Sequence, residues 1–184
     1  MQAQSLIQAS EKIHGILNRH RVDAVVIGAV ALAAFEYIRQ TDGLDLGVVA
    51  DLKKMRELVD SLRAEGFTSE FREPDGNDPP GGVIDVTGPF GLVQIISYAD
   101  RFPIVIEDAL RESTMVVREG SPLCLPPLPQ LIALKLYAGG PKSRNDIIEV
   151  LNRNPGVDLD DIRATCKKYR LRGREPILKE LRQG

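Results

Sequence analysis

The chain has 184 residues, of which 43% are hydrophobic and 27% are charged, a composition that is typical of a folded globular protein and excludes a disordered chain. This length predicts one domain with a substantial buried core. The formal net charge is −2, but residues 127–184 hold 12 of the 24 Lys and Arg residues and 7 of the 26 Asp and Glu residues. We therefore expect a basic C-terminal part beside an acidic body.

No stretch of the sequence is typical of a membrane protein. The longest apolar run, residues 22–35, is shorter than the roughly 18 residues that a membrane-spanning helix needs. The first residues lack the basic and then apolar order of a signal peptide. We expect a cytoplasmic protein with no membrane partner. The two cysteines, Cys124 and Cys166, fit neither a disulfide pattern nor the spacing of zinc ligands.

Hydrophobic periodicity predicts alternating helices and strands in the first two-thirds of the chain. Helices are predicted at residues 2–20, 29–38 and 52–65, and strands at residues 23–27, 44–49, 67–72, 83–87 and 92–97, with shorter strand candidates at 113–117 and 122–125. Gly66 is the expected C-cap of the third helix. Residues 74–82 are rich in Pro and Gly and are expected to form a mobile loop.

From residue 127 onward the pattern is helical. Helices are predicted at residues 127–138, 143–152, 158–169 and 174–182, each introduced by Pro, Ser or Asp, residues that favour helix starts. This order predicts an α/β (α+β) chain with a mixed sheet of about five strands and flanking helices. We expect the sheet in a core of residues 1–126 and a helical C-terminal module in residues 127–184.

The stretch from residue 23 to residue 48 combines two features that suit phosphate chemistry. A buried strand ends at Gly28 and Ala29, where a helix begins, and the backbone N–H groups and dipole of such a turn favour an anion. The next strand carries Asp42 and Asp45, and carboxylates are ligands that Mg²⁺ prefers. The stretch therefore indicates phosphate binding together with a metal ion.

Six short segments occur in an order that is typical of one enzyme family. They are Gly28-Ala29, Arg39-x-Thr41, Asp45, the later VQII strand, LIALKLYAG and PKSRNDI. Together they resemble the minimal nucleotidyltransferases, especially their abortive-infection toxin-like branch. The resemblance implies a nucleotidyltransferase-like fold, nucleoside triphosphate as substrate, and two Mg²⁺ ions that align it with an acceptor hydroxyl.

The resemblance also implies roles for individual residues. Asp45 takes the place of a metal-binding catalytic aspartate, and Lys135 is the second residue expected to be catalytic. The residues expected to bind or order the nucleotide are Gly28, Ala29, Arg39, Thr41, Lys142 and Asp146. For Lys135 the alternative is a lysine whose stem covers the apolar face of an amphipathic helix.

Two acidic positions of the family pattern are replaced. The first metal-binding aspartate falls on Gly43, and the third acidic residue falls on Gln94. Asp42 can serve as a metal ligand only if a bulge or turn at Gly43 rotates it inward, because neighbouring side chains alternate across a strand. Asp85 is a second candidate, since a hairpin around residues 88–91 pairs residue 87 with 92 and Asp85 with Gln94. The alternative for Asp85 is an exposed strand carboxylate.

A basic segment near the C-terminus offers a further candidate surface. Its cations are Arg163, Lys167, Lys168, Arg170, Arg172 and Arg174. Such a run can follow an RNA phosphate backbone, and the alternative is a solvated helix face.

Three hypotheses follow. The first is an active enzyme that transfers a nucleoside monophosphate from a nucleoside triphosphate to a hydroxyl. The second is a catalytically degenerate binding module for an RNA or protein partner, in a toxin–antitoxin or defence context. The third is a structural protein unrelated to nucleotides. Two carboxylates among Asp42, Asp45 and Asp85 within about 4 Å of each other would favour catalysis, because that is the spacing of a two-metal site.

Overall fold

A computed structural model describes residues 2–75 and 81–172 of the protein. The helices are α1 (Gln2–Arg19), α2 (Gly28–Ala33), α3 (Leu52–Ala64), α4 (Pro103–Glu112), α5 (Leu128–Ala138), α6 (Gly140–Arg153) and α7 (Leu159–Lys168). The strands are β1 (Ala24–Ile27), β2 (Gly43–Val48), β3 (Thr68–Arg72), β4 (Val83–Gly88), β5 (Gly91–Ser97), β6 (Met115–Val116) and β7 (Cys124–Leu125).

The strands form one mixed sheet in the order β3-β4-β5-β2-β1-β7-β6. Strands β2 and β5 are parallel, as are β1 and β7, and the other neighbours are antiparallel. The predicted mixed α/β class is confirmed. The described sheet has seven strands where the sequence predicted about five, because the short strands β6 and β7 extend it beyond β1.

Helices cover the two faces of the sheet unequally. On one face Leu46 and Val48 of β2 are fully buried in a cluster with Leu58 of α3 and Ile13 of α1. The other face is covered by α4 and α5 through a second cluster that includes Ile27 and Ile106. This second cluster covers β1, and Ile106 also reaches Gly47 of β2. Gly43 and Asp45, at the start of β2, are only half-buried.

Helix α2 ends earlier than the predicted residue 38. Glu36 has a left-handed backbone with φ +62. Its N–H donates to the carbonyl of Ala33, and the N–H of Tyr37 donates to the carbonyl of Leu32. This pair of bonds is a Schellman motif, which terminates a helix and usually carries glycine at the left-handed position. The same motif ends α3 at Gly66, as predicted, with φ +86.

Helix α4 was not predicted from the sequence. Pro103 lies in its first turn, where the missing N–H costs nothing. Val105, Ile106 and Ala109 place its apolar side on the sheet. With 10 residues, the helix is too short to give a clear periodic pattern in the sequence.

The three described C-terminal helices pack into the same core as the sheet. Leu131 of α5, Ile147 of α6 and Ile162 of α7 are buried in the larger cluster. The predicted helix at residues 174–182 lies outside the described residues, as do residues 76–80 of the loop predicted to be mobile. The division at residue 126 remains a prediction. No helix in the described ranges is long and apolar enough to cross a bilayer.

Candidate functional site

Gly28 and Asp45 lie against each other at the turn between β1 and α2. Ile27, the last residue of β1, pairs with Asp45 on β2, so the Asp45 side chain is beside the turn. Gly28 has φ +71, and a Cβ placed on it would lie 3.0 Å from Cγ of Asp45 and closer still to Oδ2. The carboxylate therefore fills the space that any side chain at residue 28 would need.

Three cations act on the charge of this half-buried carboxylate. Burial raises the pKa of Asp45, and the positive charges of Lys135, Arg39 and Lys142 oppose that rise, in this order of size. Lys135 comes from α5, Arg39 from the connection between α2 and β2, and Lys142 from α6. The turn, the connection and the C-terminal helices thus bring opposite charges to one place.

Asp146 connects two of the cations. Its side chain is only 2% exposed, and its Oδ2 accepts a hydrogen bond of 2.7 Å from Nζ of Lys135. Arg39 Nε lies 3.4 Å from Asp146 Oδ1. Among the described residues this buried Nε has no hydrogen-bond partner. The structure therefore brings together Lys135 of the LIALKLYAG segment and Asp146 of the PKSRNDI segment.

The charges of this site do not cancel. Arg39, Lys135 and Lys142 contribute three positive charges, while Asp45 and Asp146 contribute two negative charges when ionised. The excess of one positive charge favours an anionic ligand, and the interaction is strengthened where burial lowers the local dielectric.

Asp85 pairs with Gln94 as predicted. Thr87 also pairs with Leu92 as predicted, and the ladder continues to Gly88 and Gly91, so the loop has two residues instead of four. Gln94 in turn lies opposite Asp45 on β2. The three side chains therefore form one row across β4, β5 and β2.

Both carboxylate oxygens of Asp85 are already hydrogen-bonded. Nε2 of Gln94 donates to Oδ1 at 2.6 Å, and Nε of Arg72 donates to Oδ2 at 2.6 Å. Burial alone would raise the pKa of Asp85, but the hydrogen bonds from Arg72 and Gln94 hold it below its ordinary value. Arg72 was not singled out from the sequence, because only the pairing of β3 with β4 brings it to Asp85.

Thr41 and Asp42 lie at a different cavity. Thr41 Oγ1 donates to the carbonyl of Gly43 at 3.0 Å and accepts from its N–H at 3.3 Å, so this hydroxyl shapes the start of β2. Both residues line a cavity of about 470 Å³ together with Leu44 and Phe90. Leu44 is on the face opposite to Asp45 because strand side chains alternate. The structure does not bring Asp42 to Asp45.

The acidic residues at the site do not fit a pair of divalent ions. Asp45 is the carboxylate beside Gly28, position 43 has no side chain, and Asp85 is engaged by Arg72. Across residues 2–75 and 81–172 no group of three or more Asp, Glu, His or Cys side chains is placed to hold a metal. A two-metal centre needs several hard oxygen ligands.

A second cavity, of about 680 Å³, adjoins the site between α5 and α6. Lys135 lines it together with Gly139, Gly140, Arg144 and Arg172. Lys135 therefore lines this cavity while its Nζ donates to the buried Asp146.

Tyr98 is a neighbour of Asp45 that the sequence did not indicate. It is 8% exposed, and its pKa is raised by burial and then by the charge of Asp45. It packs near Tyr137, with ring centroids 6.4 Å apart. Its position directly after β5 gave no periodic pattern that could identify it.

The basic segment is partly engaged within the protein. Arg163 contacts Asp160 at 2.6 Å, and Lys168 contacts Asp108 at 2.6 Å. Tyr169 is buried, whereas Lys167, Arg170 and Arg172 are exposed. Arg174 lies outside the described residues. An RNA surface in this segment remains a prediction.

Comparison with known proteins gives structural matches. No protein-family model matches the chain, and no curated protein sequence matches it either. The solution structure of the antibiotic-resistance factor ANT(2'')-Ia has a TM-score of 0.57 and 15% identity over 98% of each chain. A crystal structure of ANT(2'')-Ia in complex with adenylyl-2''-tobramycin has a TM-score of 0.55 and 13% identity, over 89% of this chain and 96% of the other.

A third match comes from Paracoccidioides brasiliensis. It is an antigenic nucleotidyltransferase-like protein, with a TM-score of 0.53 and 16% identity over 90% of this chain and 87% of the other. The matches do not address the toxin-like branch, which remains a prediction. The mixed sheet, the glycine turn with Asp45 opposite it, and these matches along nearly the whole chain together establish a nucleotidyltransferase-like fold.

Proposed function

We propose that the protein is a nucleotide-binding module with a nucleotidyltransferase-like fold, and that it holds the phosphate groups of a nucleoside triphosphate without transferring the nucleotide. The observation that carries this proposal is that two cations meet at one buried carboxylate: Lys135 Nζ lies 2.7 Å and Arg39 Nε 3.4 Å from the oxygens of Asp146. The same two cations, together with Lys142, act on the charge of Asp45 beside the Gly28 turn. A cation-rich, half-buried site is suited to an anion, and phosphate oxygens accept strong hydrogen bonds from charged donors.

The surroundings of Gly28 support phosphate as the anionic group. Gly28 keeps the turn free of a side chain, and Ala29 beside it is small and buried. A backbone turn of this kind lets oxygen atoms approach main-chain N–H groups closely. Arg39 Nε, which is buried without a hydrogen-bond partner among the described residues, supplies a further donor.

Transfer of the nucleotide is the competing hypothesis. The fold supports it, because adenylyl-2''-tobramycin is bound by one of the matched structures. The carboxylates argue against it, because residue 43 is glycine and Asp85 is held by Arg72. In the part of the chain that the structure describes, no group of three or more potential metal ligands is found, and two-metal transfer depends on such a group. We therefore favour binding.

Thermal shift with a panel of ligands tests the proposal. We expect nucleoside triphosphates and inorganic pyrophosphate to raise the melting temperature, while nucleosides without phosphate do not. Lys142→Gln should weaken the response to triphosphate roughly fivefold in apparent Kd, because one exposed cation contributes about 1 kcal/mol to anion binding. Lys53→Gln is the matched control and should leave the response unchanged, because Lys53 is also exposed but belongs to α3, which packs on the face of the sheet opposite to Asp45. No response to any triphosphate would contradict the proposal.

A transfer assay separates binding from catalysis. Purified protein is incubated with labelled nucleoside triphosphates, MgCl₂ and a cell extract as the source of acceptors. We expect no incorporation of label above that of a heat-inactivated sample. Incorporation by the wild type that is lost in Asp45→Asn would show that the protein is an active transferase, and it would contradict the proposal of a binding module.

A further inference from the structure

We infer that the site binds its phosphate ligand free of divalent metal, with Arg39, Lys135 and Lys142 providing the positive charge, and that the sheet at Gly43 excludes the carboxylate that a metal pair would require. This inference rests on the proposed binding of a nucleotide. It concerns the form of the ligand and the architecture around residue 43.

The backbone around Gly43 leaves no room for a side chain. A Cβ on Gly43 would lie 2.7 Å from the backbone oxygen of Leu92 and 3.3 Å from the Leu92 Cβ. Gly43 and Leu92 are in register on the parallel strands β2 and β5, so the obstructing atom belongs to the sheet itself. An aspartate at residue 43 would therefore have to displace a strand.

Hydrogen bonds also fix the backbone of Gly43 and of its neighbour Asp42. Thr41 Oγ1 bonds both the N–H and the carbonyl of Gly43. The carbonyl of Asp42 accepts from the N–H of Leu92 at 3.4 Å, and a Cβ on Gly91 would lie 2.9 Å from that same carbonyl. The backbones of β2 and β5 therefore approach each other closely at residues 42–43 and 91–92, with glycine at 43 and at 91.

The third acidic position of the family pattern falls on Gln94, which belongs to a chain of hydrogen bonds. Gln94 donates its amide N–H to Asp85, and Arg72 holds the other oxygen of that carboxylate. A metal ion at Gln94 would have to compete with Arg72 for Asp85. Gln94 and Asp85 therefore offer Asp45 no free carboxylate with which to share a metal ion. Within residues 2–75 and 81–172 no group of three or more potential metal ligands is found.

The cations occupy the role that metal charge has in other phosphate sites. Lys135, Arg39 and Lys142 all act electrostatically on Asp45, so a phosphate group beside Asp45 lies within their field. A divalent ion brought in by the ligand would meet the same positive field. Repulsion between like charges then disfavours the metal-bound form of the ligand.

Calorimetric titration of ATP in excess EDTA and in excess MgCl₂ tests the inference. We expect saturable binding in EDTA and a Kd that is unchanged or several-fold weaker with Mg²⁺. Binding that requires Mg²⁺, or that tightens tenfold with it, would overturn the inference while leaving the proposed function standing. Absence of binding in both buffers would contradict the inference and the proposed function together.

Titration with Mn²⁺ alone, followed by the electron paramagnetic resonance of free Mn²⁺, provides a readout without nucleotide. We expect no saturable loss of the free-ion signal for the wild-type chain. The isosteric variant Gln94→Glu preserves side-chain size and tests whether one added carboxylate creates a site. We expect none, because Asp85 remains bound to Arg72. Saturable Mn²⁺ binding by the wild-type chain would overturn the inference.

Gly43→Asp tests directly whether the sheet has room for a carboxylate side chain at residue 43. We expect a lower melting temperature than for Gly156→Asp, a control at a glycine with open space around it. We also expect no Mn²⁺ binding by Gly43→Asp. A stable Gly43→Asp protein that binds Mn²⁺ would show that the sheet accommodates the carboxylate, and the inference would fail.

Discussion

At the scale of single residues, the surroundings of Asp45 disfavour the ionised form of its carboxylate. Burial raises its pKa, which means that the folded state binds a proton at this residue more readily than the unfolded state does. The ionised form therefore opposes folding. A residue kept at such a cost is a reasonable candidate for function.

Asp45→Asn should stabilise the protein at neutral pH. The pKa of Asp45 is raised in the folded state. Protonated Asp45 therefore favours folding at low pH, and this contribution to the free energy of unfolding is lost as the pH rises through the folded-state pKa. The asparagine side chain does not ionise, so the free energy of unfolding of Asp45→Asn should exceed that of the wild type by a margin that grows from acid to neutral pH. Urea unfolding of both proteins across this range measures the difference, and a variant less stable at pH 7 would contradict the argument.

Gly28→Ala should destabilise the protein by about 3 kcal/mol. A left-handed backbone costs a residue with a Cβ about 1–2 kcal/mol, and overpacking against Asp45 adds about 1–3 kcal/mol. Gly156→Ala, where no heavy atom lies within 4 Å of the added Cβ, is the control and should change stability by less than about 0.5 kcal/mol. Chemical denaturation measures both, and equal effects would show that Gly28 has no special constraint.

At the scale of elements, the end of α2 determines where Arg39 begins its approach to the site. The helix stops at a Schellman motif in which Glu36 takes the left-handed position. The chain then runs on to Arg39, whose Nε reaches Asp146. Had α2 continued to the predicted residue 38, Arg39 would have followed it at a different angle.

Glu36→Gly should raise stability by about 1 kcal/mol, since glycine adopts a left-handed backbone without the steric cost borne by glutamate. Glu36→Ala retains the Cβ and should give no comparable gain, which separates backbone relief from loss of the charge. Thermal and urea unfolding of the three proteins check this. A gain of equal size in both variants would point to charge.

The sequence predicted some elements better than others for physical reasons. The pairing of Asp85 with Gln94 was predictable because a short hairpin loop fixes the register of its strands. The end of α2 was not, because no glycine or proline marks it. Helix α4 was missed because 10 residues carry few turns of periodicity. The hydrogen bond from Arg72 to Asp85 depends on the pairing of β3 with β4, which the local sequence pattern does not determine.

At the scale of the whole molecule, buried carboxylates attach the C-terminal helices to the rest of the protein. Asp146 joins α6 to Lys135 and Arg39. Asp108 on α4, only 1% exposed, accepts from Lys168 and Tyr169 at the end of α7 and also contacts Arg111. The family resemblance picked out Lys135, Asp146 and Arg39 individually, but their contact depends on the packing of α5, α6 and the connection that follows α2.

Asp108→Asn should cost about 2 kcal/mol at pH 7, through the loss of charge-assisted hydrogen bonds. Burial alone would raise the pKa of Asp108, but its hydrogen bonds from Lys168, Tyr169 and Arg111 lower it overall. The stability it adds is therefore present above the unfolded-state pKa and is lost as the pH falls through the folded-state pKa. The difference between wild type and Asp108→Asn should shrink on acidification, as followed by urea unfolding. A difference that stays constant down to strongly acidic pH would contradict this account.

The central claim is that a cluster of cations beside Gly28 and Asp45 binds nucleotide phosphate without metal. Calorimetric titration of ATP in EDTA, with wild type, Lys142→Gln and Lys53→Gln in parallel, tests it most directly. We predict one-site binding by the wild type, unchanged binding by Lys53→Gln, and roughly fivefold weaker binding by Lys142→Gln, which corresponds to about 1 kcal/mol. Absence of heat from the wild-type protein, or equal binding by all three proteins, would contradict the claim.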